Sequence, residues 1–309
     1  AFRPRICRDV SEIDTETDFF GHKLRIPVLL APMGGIERFS ANGGIDVDNA
    51  AEEFGSVNFL STVCQPSLEE VADNSPHPKS FQIYVRGDDD WIKDLVRRVV
   101  KANYASVTLT VDSAFYGNRE RLNPAQLALR RVAAREWQKK ITWETVKLIQ
   151  DEIGDIPLIL KGIMTAEDAA LAVEQGVQGI YISNHGGRQL DHVLGNIQML
   201  PEVVEAVDGK AQVFIDGGFT RGTDIVKALI LGAKAVGIGR LQAYALGAGG
   251  AEGLVRCLEL LEREINTTMG LIGVTSLDEL SSASVTEAMP VTLPHEHSAF
   301  PHLPGGKVG

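Results

Sequence analysis

The stretch "YISNHGGRQLDH", Tyr181 to His192, opens as a buried β-strand and then sets Asn, His, two Gly, Arg, Gln and Asp where a helix should start. His185 and Arg188 thus share one short turn with two flexible glycines between them. Two later stretches, "IDGGFTRGTD" and "GIGRLQ", also put Gly beside a strand end and close to a helix start. Exposed backbone N–H groups and the helix dipole attract an anion at such places. Arg240, with Arg221 as a second candidate, would add direct charge. Binding of a phosphate-bearing ligand is the chemistry these turns suggest.

Eight short apolar runs must position these turns. They are "IPVLLAP", "VNFLS", "SFQIYV", "SVTLTVD", "IPLILKG", "GIYISNH", "QVFIDGG" and "AVGIGR". Helix-like segments lie between them, among them "DDWIKDLVRRVVKANY", "TAEDAALAVEQG", "RGTDIVKALILG" and "GGAEGLVRCLELLEREI". Several open on Thr, Asp or Ser and close on Gly, as helix caps do. The runs are nearly all apolar rather than alternating, which suits parallel strands covered on both faces. The fold class expected is α/β, a (β/α)8 TIM barrel. An open doubly wound sheet is the alternative, although no GxGxxG follows the first strand.

A barrel builds its active site from the C-terminal ends of its strands. In chain order those ends carry Pro32, Met33 and Gly34; Ser61; Gln82 and Tyr84; Thr110 and Asp112; and Lys161. Asn184 and His185 follow, then Asp216, Gly217 and Gly218, and last Gly239 and Arg240. Any one of these alone would read as a cap or a turn residue. The last two loops are the frequent phosphate position of barrels.

Composition bounds the rest. The 309 residues, 44% of them apolar, suffice for a sizeable core, and one domain spanning 1–309 is expected, with a loosely ordered tail from about residue 285. No apolar run approaches the roughly 20 residues needed to cross a bilayer, and "AFRPRICRDV" does not read as a signal peptide, so a cytoplasmic protein is expected. Cys7, Cys64 and Cys257 are far apart, which suggests packed, reduced thiols rather than a disulfide framework. The net charge of −11 argues against broad binding to nucleic acid or anionic membranes. An anionic ligand then needs a local basic pocket.

In order and spacing, "SNHGGRQLD", "FQIYV", "LTVD", "LKG", "IDGG" with "RGTDIVKAL", and "IGR" resemble the FMN-dependent α-hydroxy acid oxidase and dehydrogenase family. The likeness runs from "FRPRICRDVSEID" to about "GLIGVTSLDEL". The resemblance implies an FMN-containing barrel that oxidises a 2-hydroxy acid to a 2-keto acid, the flavin being reoxidised by oxygen or another acceptor. It also implies a homotetramer. By the same resemblance His185 is the active-site base and Asp112 the carboxylate that orients it, while Arg119 and Arg188 grip the substrate carboxylate and Tyr84 hydrogen-bonds substrate. FMN would be held by the Met33 and Gly34 backbone, Ser61, Gln82, Thr110, Lys161 and Ser183, with its phosphate on Asp216, Gly218, Gly239 and Arg240, beside Gly217.

These residue types suit that chemistry. A planar guanidinium holds a carboxylate in a fixed bidentate pose. An imidazole can accept the hydroxyl proton near neutral pH, and Asp112 would stabilise the imidazolium. Lys161 would offset negative charge on the reduced ring. An FMN barrel isomerase would share the phosphate site, yet has no need of a carboxylate clamp beside a base. A non-catalytic flavin binder would have no need of the base either.

The chain also departs from the family pattern. Many relatives have an N-terminal segment with a substrate-binding Tyr, and nothing before Phe2 supplies it. "DSAFYGNRE" replaces "DTPxxGxRE", "PMGG" replaces "PTA", and Thr220 stands where an Arg often meets the phosphate. Val63 takes the place of a large aromatic, which would open the pocket to a bulkier acid. The run "ALRRVAAREWQKK" reads as a solvated helix face or part of a mobile cover. His295, His297 and His302 sit among Pro and Gly with no convincing carboxylate or Cys partner, so no metal is assigned.

Overall fold

A computed structural model describes residues 1–115, 117 and 136–288. Two short strands, β1 (Thr17–Phe19) and β2 (His22–Leu24), form an antiparallel hairpin. Each of the eight apolar runs then yields one strand: β3 (Val28–Leu30), β4 (Val57–Ser61), β5 (Lys79–Ile83), β6 (Ser106–Thr110), β7 (Leu158–Ile163), β8 (Gly179–Ile182), β9 (Gln212–Asp216) and β10 (Ala235–Ile238). They pair in parallel in sequence order, and β10 closes on β3 through Val236 with Val28 and Ile238 with Leu30. A closed ring has no sheet edge, so the open alternative is excluded.

Helices α1 (Gly44–Phe54), α2 (Leu68–Asn74), α3 (Asp89–Lys101), α4 (Trp143–Ile153), α5 (Ala166–Glu174), α6 (Asn196–Val207), α7 (Gly222–Ile230) and α8 (Arg240–Ile272) follow strands β3 to β10 in turn. Local sequence explains them. In α3, Asp88 accepts the Trp91 N–H at 3.1 Å as N-cap, Asp89 and Asp90 fill the first turn, and Arg98 and Lys101 the last, as the dipole prefers. Its apolar stripe of Ile92, Leu95, Val96 and Val99 is buried against the barrel. Helix α8 adds to one expectation. It consists of two helical stretches that meet at non-helical Gly249 and Gly250, the latter at φ 60°, so the expected segment from Gly249 is the second stretch and the first, from Arg240, is an addition to it.

The interior of the barrel is filled, which confines chemistry to one end. Phe59, Tyr181 and Phe214 pack there with Phe19 of the β1–β2 hairpin, whose ring lies 5.6 Å from both Phe59 and Phe214. The hairpin thus plugs the N-terminal mouth. Three-residue strands carry too little periodicity to be read from sequence. A turn at Phe20–Gly21, closed by Asp18 accepting the Gly21 N–H at 2.9 Å, holds it. Cys64 is buried and Cys257 half-buried, but Cys7 is exposed, contrary to the packed state expected of all three. The tail histidines, and all of "ALRRVAAREWQKK" before Glu136, lie outside the described residues.

Candidate active site

Strand β8 delivers Ser183 into the barrel mouth, and the next residues leave the sheet by a left-handed turn. His185, Gly186 and Gly187 have φ of 56°, 66° and 73°, a run that needs glycine at most positions. Asn184 ties the turn together: its side-chain oxygen accepts the Gly187 N–H at 2.8 Å and its carbonyl accepts the Arg188 N–H at 3.2 Å. The His185 N–H donates to Ser183 Oγ at 3.2 Å.

The His185 ring is gripped on both nitrogens. Nδ1 lies 2.6 Å from Asp112 Oδ2, and Nε2 lies 2.6 Å from Tyr84 Oη. An ionised carboxylate only accepts, so the neutral ring carries its proton on Nδ1 and turns the Nε2 lone pair toward Tyr84. The Asp112 side chain is 11% exposed and that of His185 18%, so the pair is shielded yet reachable. Strand β7 is irregular in register between Lys161 and Ile163, and Asp112 packs against Gly162 there. A Cβ on Gly162, at φ 113°, would lie 2.6 Å from Asp112 Cβ.

Deeper in the mouth, Lys161 Nζ is buried 2.6 Å from Ser183 Oγ and 2.9 Å from Asp216 Oδ2. It also sits 4.9 Å above the fully buried Tyr181 ring, whose hydroxyl fills the space that a side chain at Gly237 would need. Gln82 donates to Thr110 Oγ1 at 2.6 Å. Gln82 Oε1 and Asp216 Oδ1 are buried acceptors without a partner among the described residues. Two orphaned acceptors beside a buried cation call for ligand N–H and O–H groups. Ser61, Gln82, Thr110 and Ser183 are all buried around this floor.

Lys161 and Asp216 open into a cavity of about 750 Å³ lined also by, among others, Met33, Gly34, Val63, Tyr84, His185, Arg188, Gly217, Gly218, Gly239 and Arg240, whereas Ser61, Gln82, Thr110 and Ser183 are buried outside its lining. That is the size of small-molecule and cofactor sites. At one end Gly217 and Gly218 have φ of 100° and 87°, and a Cβ at Gly218 or Gly239 would enter open space. Gly239 caps α8 with no side-chain bond, and Arg240 donates to Gly186 O at 3.1 Å, bridging this end to the His185 turn. Arg188 is exposed at the rim.

Two expectations are corrected. Arg221 does not line the cavity; it pairs with Glu264 of α8 at 2.6 Å, and Thr220 faces the cavity instead. The Asp216 carboxylate is committed to Lys161, where a phosphate would meet like charge, so its open oxygen suits a hydroxyl donor. Arg119 lies outside the described residues. Sequence reasoning also missed Tyr244, which lines the cavity from the α8 face of Arg240 four residues on.

The family of FMN-dependent dehydrogenases matches residues 1–131 and 122–287. Among curated proteins, an L-lactate oxidase of Nostoc sp. is 38% identical over 311 residues, covering 91% of this chain and 85% of that protein. The glycolate oxidase of Spinacia oleracea is 37% identical over 309 residues, covering 92% and 84%. Among solved structures, a mandelate oxidase variant with a monooxide FMN adduct superposes with a TM-score of 0.80 at 38% identity, covering 90% of this chain and 84% of that one.

Proposed function

From the premise that the chain belongs to the FMN-dependent dehydrogenase family and oxidises 2-hydroxy acids with FMN, we propose that His185 is the base and Arg188 the carboxylate anchor. The cavity fits the cofactor on its own evidence. The glycine backbones of 217, 218 and 239 with Arg240 offer a phosphate seat, and Asp216 Oδ1 an acceptor for a ribityl hydroxyl. Gln82 Oε1, buried and outside the cavity lining, is the acceptor we assign to a ring N–H. Met33 and Gly34 supply backbone along one wall, Thr110 and Ser183 orient Gln82 and Lys161, and buried Ser61 lies in register with Gln82. Bound there, FMN supplies a two-electron acceptor for the substrate's α-carbon.

The protein's own work is binding and proton transfer. Arg188, joined by Arg119, holds the substrate carboxylate and so fixes where its hydroxyl lies. His185 Nε2, with its lone pair exposed by the Asp112 contact, takes the hydroxyl proton, and Asp112 stabilises the imidazolium that results. Tyr84 Oη, now on Nε2, turns to the substrate oxygen when that oxygen replaces it. Lys161 places a positive charge under the deep end, moderated by Asp216. The observation that carries this reading is the Asp112–His185–Tyr84 line at a cavity that also holds Arg188.

Oxygen is the acceptor we favour, because the relatives named above are oxidases. Exposed Phe115, Leu190, Leu194 and Tyr244 favour burial in a homo-oligomer, for which a tetramer is our reading, with mass in solution as its test. Anaerobic mixing with lactate, glycolate and mandelate enantiomers tests the function: at least one should bleach the flavin band at roughly 450 nm. Bound flavin that no acid bleaches would favour an isomerase or a non-catalytic binder.

A further inference from the structure

Gln189 belongs to the same turn as His185 but points away from the cavity, into the loop that follows β6. Its Nε2 donates to the Asp112 carbonyl at 2.6 Å and to the Phe115 carbonyl at 3.0 Å, with Ser113 Oγ at 3.5 Å. Asp112 is therefore held twice by one turn: its carboxylate by His185 Nδ1, its peptide carbonyl by Gln189. The two contacts and the short backbone from 185 to 189 close a ring around the pair. Gly117 tightens the same seam, since a side chain there would collide with the Arg188 and Gln189 carbonyls.

The ring adds a backbone anchor to a pair otherwise held through side chains, His185 by Tyr84 at 2.6 Å and the Asp112 carboxylate by Ser113 Oγ at 3.2 Å. His185 occupies a left-handed conformation that its side chain disfavours, and Asp112 sits beyond the last ladder residue of β6. An amide with two donors is the one neutral side chain that can satisfy two carbonyls at once, and one carbonyl is Asp112's own. We propose that Gln189 is a positioning residue that sets the Asp112–His185 pair, so that its loss degrades proton removal and spares substrate grip and cofactor retention. The proposal rests on the reading of His185 as the base.

The test is Gln189→Met, which keeps length and removes both donors, studied as the flavin-loaded enzyme. Anaerobic stopped-flow reduction gives the limiting rate and the apparent substrate Kd across pH, alongside FMN content and melting temperature. The limiting rate should fall about tenfold to a hundredfold, the size expected for a misplacement of about 1 Å. Substrate Kd and FMN content should stay near wild type, while the melting temperature falls by a few degrees for the unsatisfied carbonyls. If the Met variant does not fold, Gln189→Asn, which withdraws the amide by one methylene, carries the same expectation. A wild-type limiting rate in the variant would overturn the proposal, as would a loss confined to substrate Kd. A wild type that no 2-hydroxy acid reduces would instead overturn the functional reading beneath it.

Discussion

Tyr84 Oη and His185 Nε2 stand 2.6 Å apart, on the side of the imidazole opposite its 2.6 Å contact with Asp112 Oδ2. One ring nitrogen is thus occupied by a permanent acceptor and the other by a donor that a substrate hydroxyl can displace. Polarity alone decides which nitrogen does the chemistry: Nδ1 must keep its proton, and Nε2 must accept one.

Replacing His185 by Ala removes the acceptor without touching the deep floor of Lys161, Asp216 and Gln82. FMN should remain bound, while the limiting rate of flavin reduction falls by roughly a hundredfold to ten-thousandfold, the usual worth of a positioned base. Stopped-flow reduction measures it. Comparable rates in variant and wild type would remove His185 from the mechanism.

Arg188 sits exposed at the rim, so its role should be grip rather than proton transfer. In Arg188→Lys an ammonium keeps the charge but loses the bidentate fork. The substrate Kd should rise by about tenfold to a hundredfold, the loss expected for one charged hydrogen bond of roughly 1.5–3 kcal/mol. The limiting rate at saturation should change less. A Kd unchanged by the substitution would place the carboxylate elsewhere.

Gly162 carries a different constraint. At φ 113° it already disfavours a side chain, and a Cβ there would press on Asp112 Cβ, Cγ and N at 2.6–2.9 Å. Gly162→Ala should therefore displace Asp112 as well as cost about 1–3 kcal/mol of backbone strain. A lowered melting temperature together with slower flavin reduction is the expected pair. A lowered melting temperature with an intact reduction rate would show that Asp112 tolerates the shift.

The strands and most of the floor were legible because each apolar run ended in a polar residue and a barrel gathers such ends. Asp112, Lys161 and His185 meet for that reason. The contacts that escaped are those between side chains remote in sequence. Arg221 finds Glu264 43 residues away, which turns it out of the cavity, and Gln189 finds the Asp112 carbonyl 77 residues back. Nothing local in "FTRGTD" or "GGRQLD" marks either partner. The β1–β2 hairpin escaped because Phe19 is buried by rings from other strands, not by its own periodicity.

Asp48 of α1 gives a prediction about stability rather than chemistry. It is buried, with Lys79 Nζ 3.3 Å away, but that ammonium also donates to the Ser75 and His77 carbonyls at 2.7 and 2.6 Å. Burial pushes the Asp48 carboxyl up from 3.8 to about 6, and the nearby Lys79 only partly opposes it. A folded-state value above the unfolded one means the native state holds the proton longer. The stability so gained is full below the unfolded value and is lost as pH rises through about 6. Asp48→Asn has no such proton to lose. The melting temperature of wild type minus that of the variant should therefore fall as pH rises from 4 to about 6 and then level off. Calorimetry across that range decides it, since an ordinary ion pair would make the difference grow with pH instead.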